Sequence, residues 1–465
     1  MSKLYIFGIG GTGARVLRSF TMMMASGVKI GADEIVPIII DPDASNADLT
    51  RTVALMNNYK AIRSVLSFSQ NNESVFFRRE LSQILVNYTL RINDTDDKTF
   101  QQFIDLSSME KSSQAMMRML FSDKNLASSM DVGFKGNPNI GSVVLNQIVD
   151  SSNFQDFANN FESGDKIFII SSIFGGTGAS GFPLLLKTLR TGKSFPNNDS
   201  INKAEIGAIT ILPYFKLKND DGSEIDSSTF ISKTKSALAY YENNISKNNS
   251  IDALYFLADN MTNTYENHEG GSAQQNDAHL IEFLAATAIV DFSNKSHSNT
   301  SNKELGLRDL TGSVTFDSFY DKEKKMLFAP LTQFMLMANC LNYKMDYYSS
   351  KDFDANNEHF TGLYGTSFMS ELKSFTALFI EWLGEMKRNK RSLDLFNLNT
   401  QNKPFELVTG CKPRRIVSIL SDYDLVTARL NSAVKKKCQS KEDNDKFLEM
   451  FYIATSRLFN EKFNS

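Results

Sequence analysis

Cysteine is scarce. Cys340, Cys411 and Cys438 are the only three in 465 residues. Three cannot build a disulfide framework, and their spacing is not that of a zinc site. The four histidines, His268, His279, His297 and His359, do not cluster either. A stapled secreted scaffold and a Cys/His metalloenzyme are both excluded. No apolar run approaches the roughly 18 residues of a membrane span. The opening residues MSKLYIFGIGG pass from Lys3 through a short apolar stretch into glycine, without the h-region and cleavage site of a signal peptide. Charge of one sign is not in excess: 50 Lys plus Arg stand against 53 Asp plus Glu, a formal charge of -3. That balance argues against a protein that grips nucleic acid by its backbone. The expectation is a soluble, cytoplasmic protein with no membrane span and no nucleic-acid partner.

What is present is enough to bury a core. Hydrophobic residues make up 42% and charged residues 22%, over a length that suits two or three domains. Leu4 to Phe7 reads as a short apolar strand. It runs into Gly8-Ile9-Gly10-Gly11-Thr12-Gly13, and a helical pattern follows from Ala14 to about Met24. Ile35 to Ile40 is a continuous, β-branched run ending at Asp41-Pro42-Asp43. Strand, glycine loop, helix and strand in that order open a parallel α/β sheet whose strands are covered on both faces. Val53–Ile62, Phe76–Val86 and Phe100–Leu120 read as helices inside a long insertion, about 45–130. Lys166–Ser171, Ala204–Leu212 and Asp252–Ala258 read as further strands, with a helix over 227–243 and another starting near Pro183. Asn276 to Phe292 has the pattern of a buried helix. Beyond residue 293 the alternation fades into helices near 330–345, 367–388 and 443–463, with strands expected near Phe405–Val408 and Ile416–Leu420. The expected domain boundary lies near 293.

A glycine loop between a strand and a helix presents backbone N–H groups to an anion, and the helix N-terminus adds partial positive charge. Gly8-x-Gly10-x-x-Gly13, with Asp41 after the next strand, fits a dinucleotide fingerprint. A second loop, Gly175-Gly176-Thr177-Gly178-Ala179-Ser180-Gly181, also follows a buried strand. Neither carries the Gly-Lys-Ser/Thr of a P-loop. Two such loops in one sheet suggest a triphosphate held from two sides.

These motifs, in order, resemble the tubulin/FtsZ superfamily. Residues 8–14 look like its first phosphate loop, and Phe174–Ser180 like its GGGTGTG signature. Residues 133–141 (GFKGNPNIG) are similar to its loop over the γ-phosphate. Gly207–Phe215 and Ile251–Asn260 resemble two of its strands, and Asn276-Asp277 the start of its central helix. The resemblance implies an α/β, parallel-sheet nucleotide-binding domain over 1–292, followed by a divergent, largely helical α+β C-terminal domain over 293–465. It implies GTP/GDP and Mg²⁺ as ligands. Gly10, Gly11, Thr12, Gly13, Asp41, Gly136, Asn137, Gly141, Gly175, Gly176, Thr177, Gly178 and Ala179 would face the nucleotide, and Asn276 and Asp277 its guanine. It also implies head-to-tail filaments whose GTPase site is completed by an acidic loop of the next subunit.

The sequence departs from the family at Phe174 and Ser180, where the signature has glycines. The acidic loop has no clean copy. Thr315-Phe316-Asp317-Ser318-Phe319-Tyr320-Asp321 is nearest, making Asp317 and Asp321 the catalytic candidates, with Glu304 and Asp309 weaker ones. Plainer readings stand beside these. Asp41 and Asp43 suit a capped turn, Asn276 and Asp277 suit a helix N-cap, and His279 suits a packed position. The basic clusters Lys387-Arg388-Lys390-Arg391 and Lys412-Arg414-Arg415 read as solvated faces. The terminal stripe Phe447, Phe451, Ala454 and Leu458 reads as core. A nucleotide-gated scaffold that does not hydrolyse, with a partner on its C-terminal domain, is the second functional reading. An NAD-dependent oxidoreductase is the third.

Overall fold

The computed structural model describes the chain except residues 1, 44, 69–71, 94, 131–133, 135–136, 219–229, 249, 262, 266–270, 272–274, 296–306, 309–311, 401–402, 415–419 and 464–465. The chain opens with β1 (Lys3–Ile9), α1 (Gly10–Ala25), β2 (Glu34–Ile40), α2 (Ala47–Ser64) and a two-residue β3 (Glu80–Leu81). Helices α3 (Lys111–Leu120), α4 (Pro138–Leu145) and α5 (Ser152–Asn160) lead into β4 (Lys166–Ser172) and α6 (Gly176–Thr191). Next come β5 (Glu205–Ile211), β6 (Phe215–Leu217), α7 (Phe230–Tyr241), β7 (Ala253–Leu257), β8 (Asn263–Tyr265) and α8 (Leu280–Ser293). The C-terminal part is helical: α9 (Asp321–Tyr343), α10 (Ser367–Arg388), α11 (Asp422–Lys436) and α12 (Asp443–Lys462).

Six strands form one parallel sheet in the order β3-β2-β1-β4-β5-β7, and β6 and β8 pair separately. The order reverses between β1 and β4, the place where open α/β sheets leave a crevice at the carboxyl ends of their strands. Tyr5 and Phe7 pack edge-on against Phe157 of α5 on one face of the sheet. On the other face Phe168 meets Phe292 of α8, and α8 lies along α1. Strands covered on both faces explain the near-continuous apolar runs. The fold class is the expected one, an α/β parallel sheet with a central helix, followed by a largely helical part.

Several boundaries differ from expectation. Phe76–Val86 is not helical. Phe77 and Asn87 adopt positive φ, and the segment supplies β3 instead. Its aromatics turn into the C-terminal helices, Phe76 onto Phe334 and Phe77 onto Phe375. Phe100–Leu120 is broken at Asp105, whose φ of 49° lies in the left-handed region. Helix α6 begins at Gly176, which places Pro183 inside it. Phe405–Val408 forms only a single bridge, Val408 to Phe396, and 415–419 lie outside the described residues. Phe447, Phe451, Ala454 and Leu458 are buried, as the stripe indicated.

The C-terminal helices do not stand apart from the sheet. Trp382 on α10, the one tryptophan of the chain, is fully buried. Its Nε1 donates to Ser19 Oγ on α1 at 3.2 Å, and its ring stacks on Phe283 of α8.

Candidate functional site

The two glycine loops meet. Helices α1 and α6 start at the carboxyl ends of β1 and β4, which are neighbours in the sheet. Gly10 has a φ of 71°, and a Cβ on it would lie 3.6 Å from Thr177 Cβ. The first N–H groups of a helix have no partner within it, so two sets of backbone donors and two dipole ends converge on one crevice. Glycine is required behind the loops as well. A Cβ on Gly13 would lie 2.4 Å from the carbonyl carbon of Gly8, and one on Gly178 would lie 2.5 Å from Ser172 O. Each contact presses a helix start onto the strand that precedes it.

The departures from the family pattern have local causes. Phe174 turns away from the loop into an aromatic cluster with Tyr214, Phe215 and Phe230. Ser180 donates back to Gly176 O at 2.7 Å, and α4 crosses α6 against it at Gly141. Gly141 therefore serves helix packing. Asn137 precedes α4 as its N-cap residue, without a side-chain cap bond. Gly136 lies outside the described residues.

Asp41 and Asp43 follow β2 and are buried. Asp43 accepts from Ser45 and from Gly271 N–H (2.6 Å), so it acts as a turn and a tie to the distant loop. Asp41 accepts Asp43 N–H at 3.1 Å, and among the described residues no basic side chain pairs with it. Burial, reinforced by the charge of Asp43, pushes its carboxyl up to about 7. A buried carboxylate of this kind suits a cation. No cluster of three or more metal-ligating side chains exists among the described residues. A Mg²⁺ ion at Asp41 would thus take its remaining ligands from phosphate and water, as this ion ordinarily does.

The start of α8 is not as the sequence suggested. His279, not Asn276 or Asp277, is the N-cap: its Nδ1 accepts Ile281 N–H, and Glu282 closes the capping box onto His279 N–H. Asn276 is held by Asp48, and Asp277 by Arg388. Burial, with Arg15 and Arg391 nearby, lowers His279 to about 3. The ring is therefore neutral, and it packs 4.9 Å from Tyr214.

Around it lies an ion network that sequence reasoning missed. Arg15 on α1 reaches Asp48 (2.9 Å), Glu282 (2.5 Å) and the Tyr214 hydroxyl (3.0 Å). Arg18 forks onto Glu385 of α10 at 2.7 and 3.1 Å, Arg51 joins Glu385 to Asp48, and Glu385 also accepts Ala278 N–H. Three arginines thus balance three carboxylates. The signal was available: Arg15 and Arg18 are one turn apart in a helix otherwise rich in Val, Leu, Phe and Met.

Asp317 and Asp321 do not approach the glycine loops within the chain. They flank the turn into α9, 72% and 82% exposed, paired with Lys324 (2.6 Å) and Arg308 (3.1 Å). Next to them Lys322 binds Asp291, in the last turn of α8. That helix end lies by the loop before β2, where Asn294 donates to Lys29 O. The acids are thus at the amino-end side of the sheet, opposite the crevice. Glu304 and Asp309 lie outside the described residues. Of the basic clusters, Lys387 pairs with Asp394, Arg388 with Asp277 and Arg391 with Asp259.

No helix among the described residues is long and apolar enough to cross a membrane. Neither a protein-family model nor a curated protein sequence matches the chain. Among solved structures, 56% of the chain is similar to 49% of CetZ2 from Haloferax volcanii, in a GTPγS-bound protofilament, at 12% identity and a TM-score of 0.28. The same share is similar to 46% of CetZ from Methanosaeta thermophila, at 15% identity and a TM-score of 0.25. The chain thus spans about half the length of the solved structures it matches.

Proposed function

We propose that the chain binds GTP across the carboxyl ends of β1 and β4, associates head-to-tail, and hydrolyses the nucleotide where two subunits meet. The observation that carries this reading is the convergence of the two loops, with Gly10 within a side chain's reach of Thr177. Backbone donors of Gly11–Gly13 and Gly176–Ala179 would hold the phosphates. Asp41 would hold Mg²⁺, which supplies neutralisation of phosphate charge when bound. Asp317 or Asp321 would orient a water toward a neighbour's nucleotide. Their place at the opposite side of the sheet supports a site completed in trans. A heterologous contact of that kind propagates into open filaments unless the rotation closes it. Residues 1–292 form the nucleotide unit in this reading, and 293–465 the part that presents a surface to a protein partner.

A second reading, a nucleotide-gated scaffold without turnover, is favoured by one observation: both candidate acids are already ion-paired with Lys324 and Arg308. GTP turnover measured against protein concentration, with light scattering in the same sample, separates the two. Turnover per subunit that rises with concentration, together with scattering, supports the shared site. Binding without turnover or scattering supports the scaffold. Absence of GTP binding sinks both, and NAD is then the ligand to test.

A further inference from the structure

The two edges of the six-stranded sheet are unlike. β3 is two residues long and carries the exposed Glu80. β7 (ALYFL) is wholly apolar, and none of its residues is buried, whereas β1, β2, β4 and β5 are buried from their second residue onward. Leu212 N–H donates to Leu257 O at 2.8 Å, just beyond the paired Ile211 and Leu257. In a parallel ladder alternate residues bond to the same neighbour, so the backbones of Ala253, Tyr255 and Leu257 face β5. The N–H and C=O groups of Leu254 and Phe256 therefore point out of the sheet, and no strand among the described residues pairs with them. The Phe256 side chain is 53% exposed beside them. It lies on the face away from α8, because the adjacent Tyr255 faces that helix and donates to Asp291. Open edges are ordinarily guarded by Lys, Pro or a bulge. β7 has no Lys, no Pro and a regular register.

We propose that β7 pairs antiparallel with β7 of a second copy, about a two-fold axis at Tyr255, so that one sheet runs across a dimer. A two-fold contact uses the same patch twice, and the strand must be its own complement. In this register Leu254 falls opposite the partner's Phe256, and Phe256 opposite the partner's Leu254. These are the residues whose backbone groups point outward, so each pair can exchange both of its N–H···O=C bonds. The same pairing lays an aliphatic side chain against the exposed Phe256 ring, a favourable cross-strand match. Ala253 falls opposite the partner's Leu257, and no charged side chain lies within the paired stretch. The flanking acids are already occupied, Asp252 by Arg190 and Asp259 by Arg391. Pairing β7 onto β3 of another copy is disfavoured, because β3 is shorter and carries a charge at its edge. The inference goes beyond nucleotide binding and does not rest on it. An edge contact leaves both ends of the strands free for the head-to-tail association proposed above.

The test is sedimentation of the full chain without nucleotide, from about 1 to about 100 μM, the range in which a small contact dissociates. The parent is expected to shift from monomer to dimer as concentration rises. Phe256→Lys places a charge on the edge at an exposed position, and it is expected to stay monomeric while melting where the parent does. Cysteine pairing reads the register. Opposed residues in a hydrogen-bonded pair have Cα atoms about 5.5 Å apart, within disulfide reach. Under mild oxidation a mixture of Leu254→Cys and Phe256→Cys chains is expected to give a covalent dimer in excess of either variant alone and of the parent. A parent that stays monomeric throughout overturns the inference, and leaves the edge to a strand of another protein. A dimer that survives Phe256→Lys, or a mixture that links no better than its components, places the contact elsewhere and overturns it as well.

Discussion

The two ends of α8 handle charge in opposite ways. At its start, Arg15, Arg18 and Arg51 are locked among Asp48, Glu282 and Glu385, with Glu385 only 2% exposed and holding four hydrogen bonds. At its far end Asp291 is shared by Lys322 and Lys295, and the neighbouring Asp317 and Asp321 project into solvent. Burial makes the first set a structural joint, because a charge left there without its partner cannot turn to water. Exposure makes the second set available to another molecule at little cost to the fold. The contrast separates what holds the site together from what could complete it.

Removing a partner at the crowded end gives the largest effect. Glu385→Ala leaves Arg18 buried without its counter-ion and should destabilise the chain by about 3–5 kcal/mol. Denaturant unfolding measures it, and a loss below 1 kcal/mol would mean that the joint is solvated. Asp41 comes next. Its carboxyl titrates near 7 in the fold and near 3.8 when unfolded, so the folded chain holds the extra proton between those values. Stability is therefore lost as pH rises from about 4 to 7, on the order of 3 kcal/mol in all. Asp41→Asn should be more stable than the parent at pH 8 and equal to it at pH 4. Mg²⁺ with nucleotide should raise the melting temperature of the parent more than that of the variant.

His279 works in the reverse sense. Its folded value of about 3 lies below the unfolded 6.5, so its contribution is whole above 6.5 and falls away with acid. By pH 5 the loss is about 2 kcal/mol. His279→Asn keeps an N-cap side chain and should flatten that acid limb of the melting profile. The smallest stability change belongs to the open end. Asp317→Ala with Asp321→Ala should cost less than about 0.5 kcal/mol, as exposed pairs do. The same double variant should abolish concentration-dependent GTP turnover. Full turnover in that variant would remove both acids from the proposed mechanism.

The parts legible in the sequence were those governed by local pattern. β1, β2, β4 and β5 are apolar runs long enough to identify, and the glycines mark where two helices must approach their strands. β3 was not legible. Two residues carry no periodicity, and the surrounding Phe76 and Phe77 belong to a core built with Phe334 and Phe375, far along the chain. The start of α8 misled for a different reason. Asn276 and Asp277 are good N-cap residues in isolation, but partners 228 and 111 positions away claim them, and a histidine takes the cap. Non-local pairing of this kind leaves no trace in spacing. The ion network left one faint trace, two arginines on a helix with no polar face.

The lone indole of Trp382 has a practical consequence. Its emission comes from a single place, wedged between the helix that follows the first glycine loop and the central helix, with its N–H on Ser19. Fluorescence of the unlabelled chain is therefore a built-in gauge of whether α10 stays seated on α1. It would register any loosening of that joint, by variant, acid or ligand, as a red shift of one chromophore.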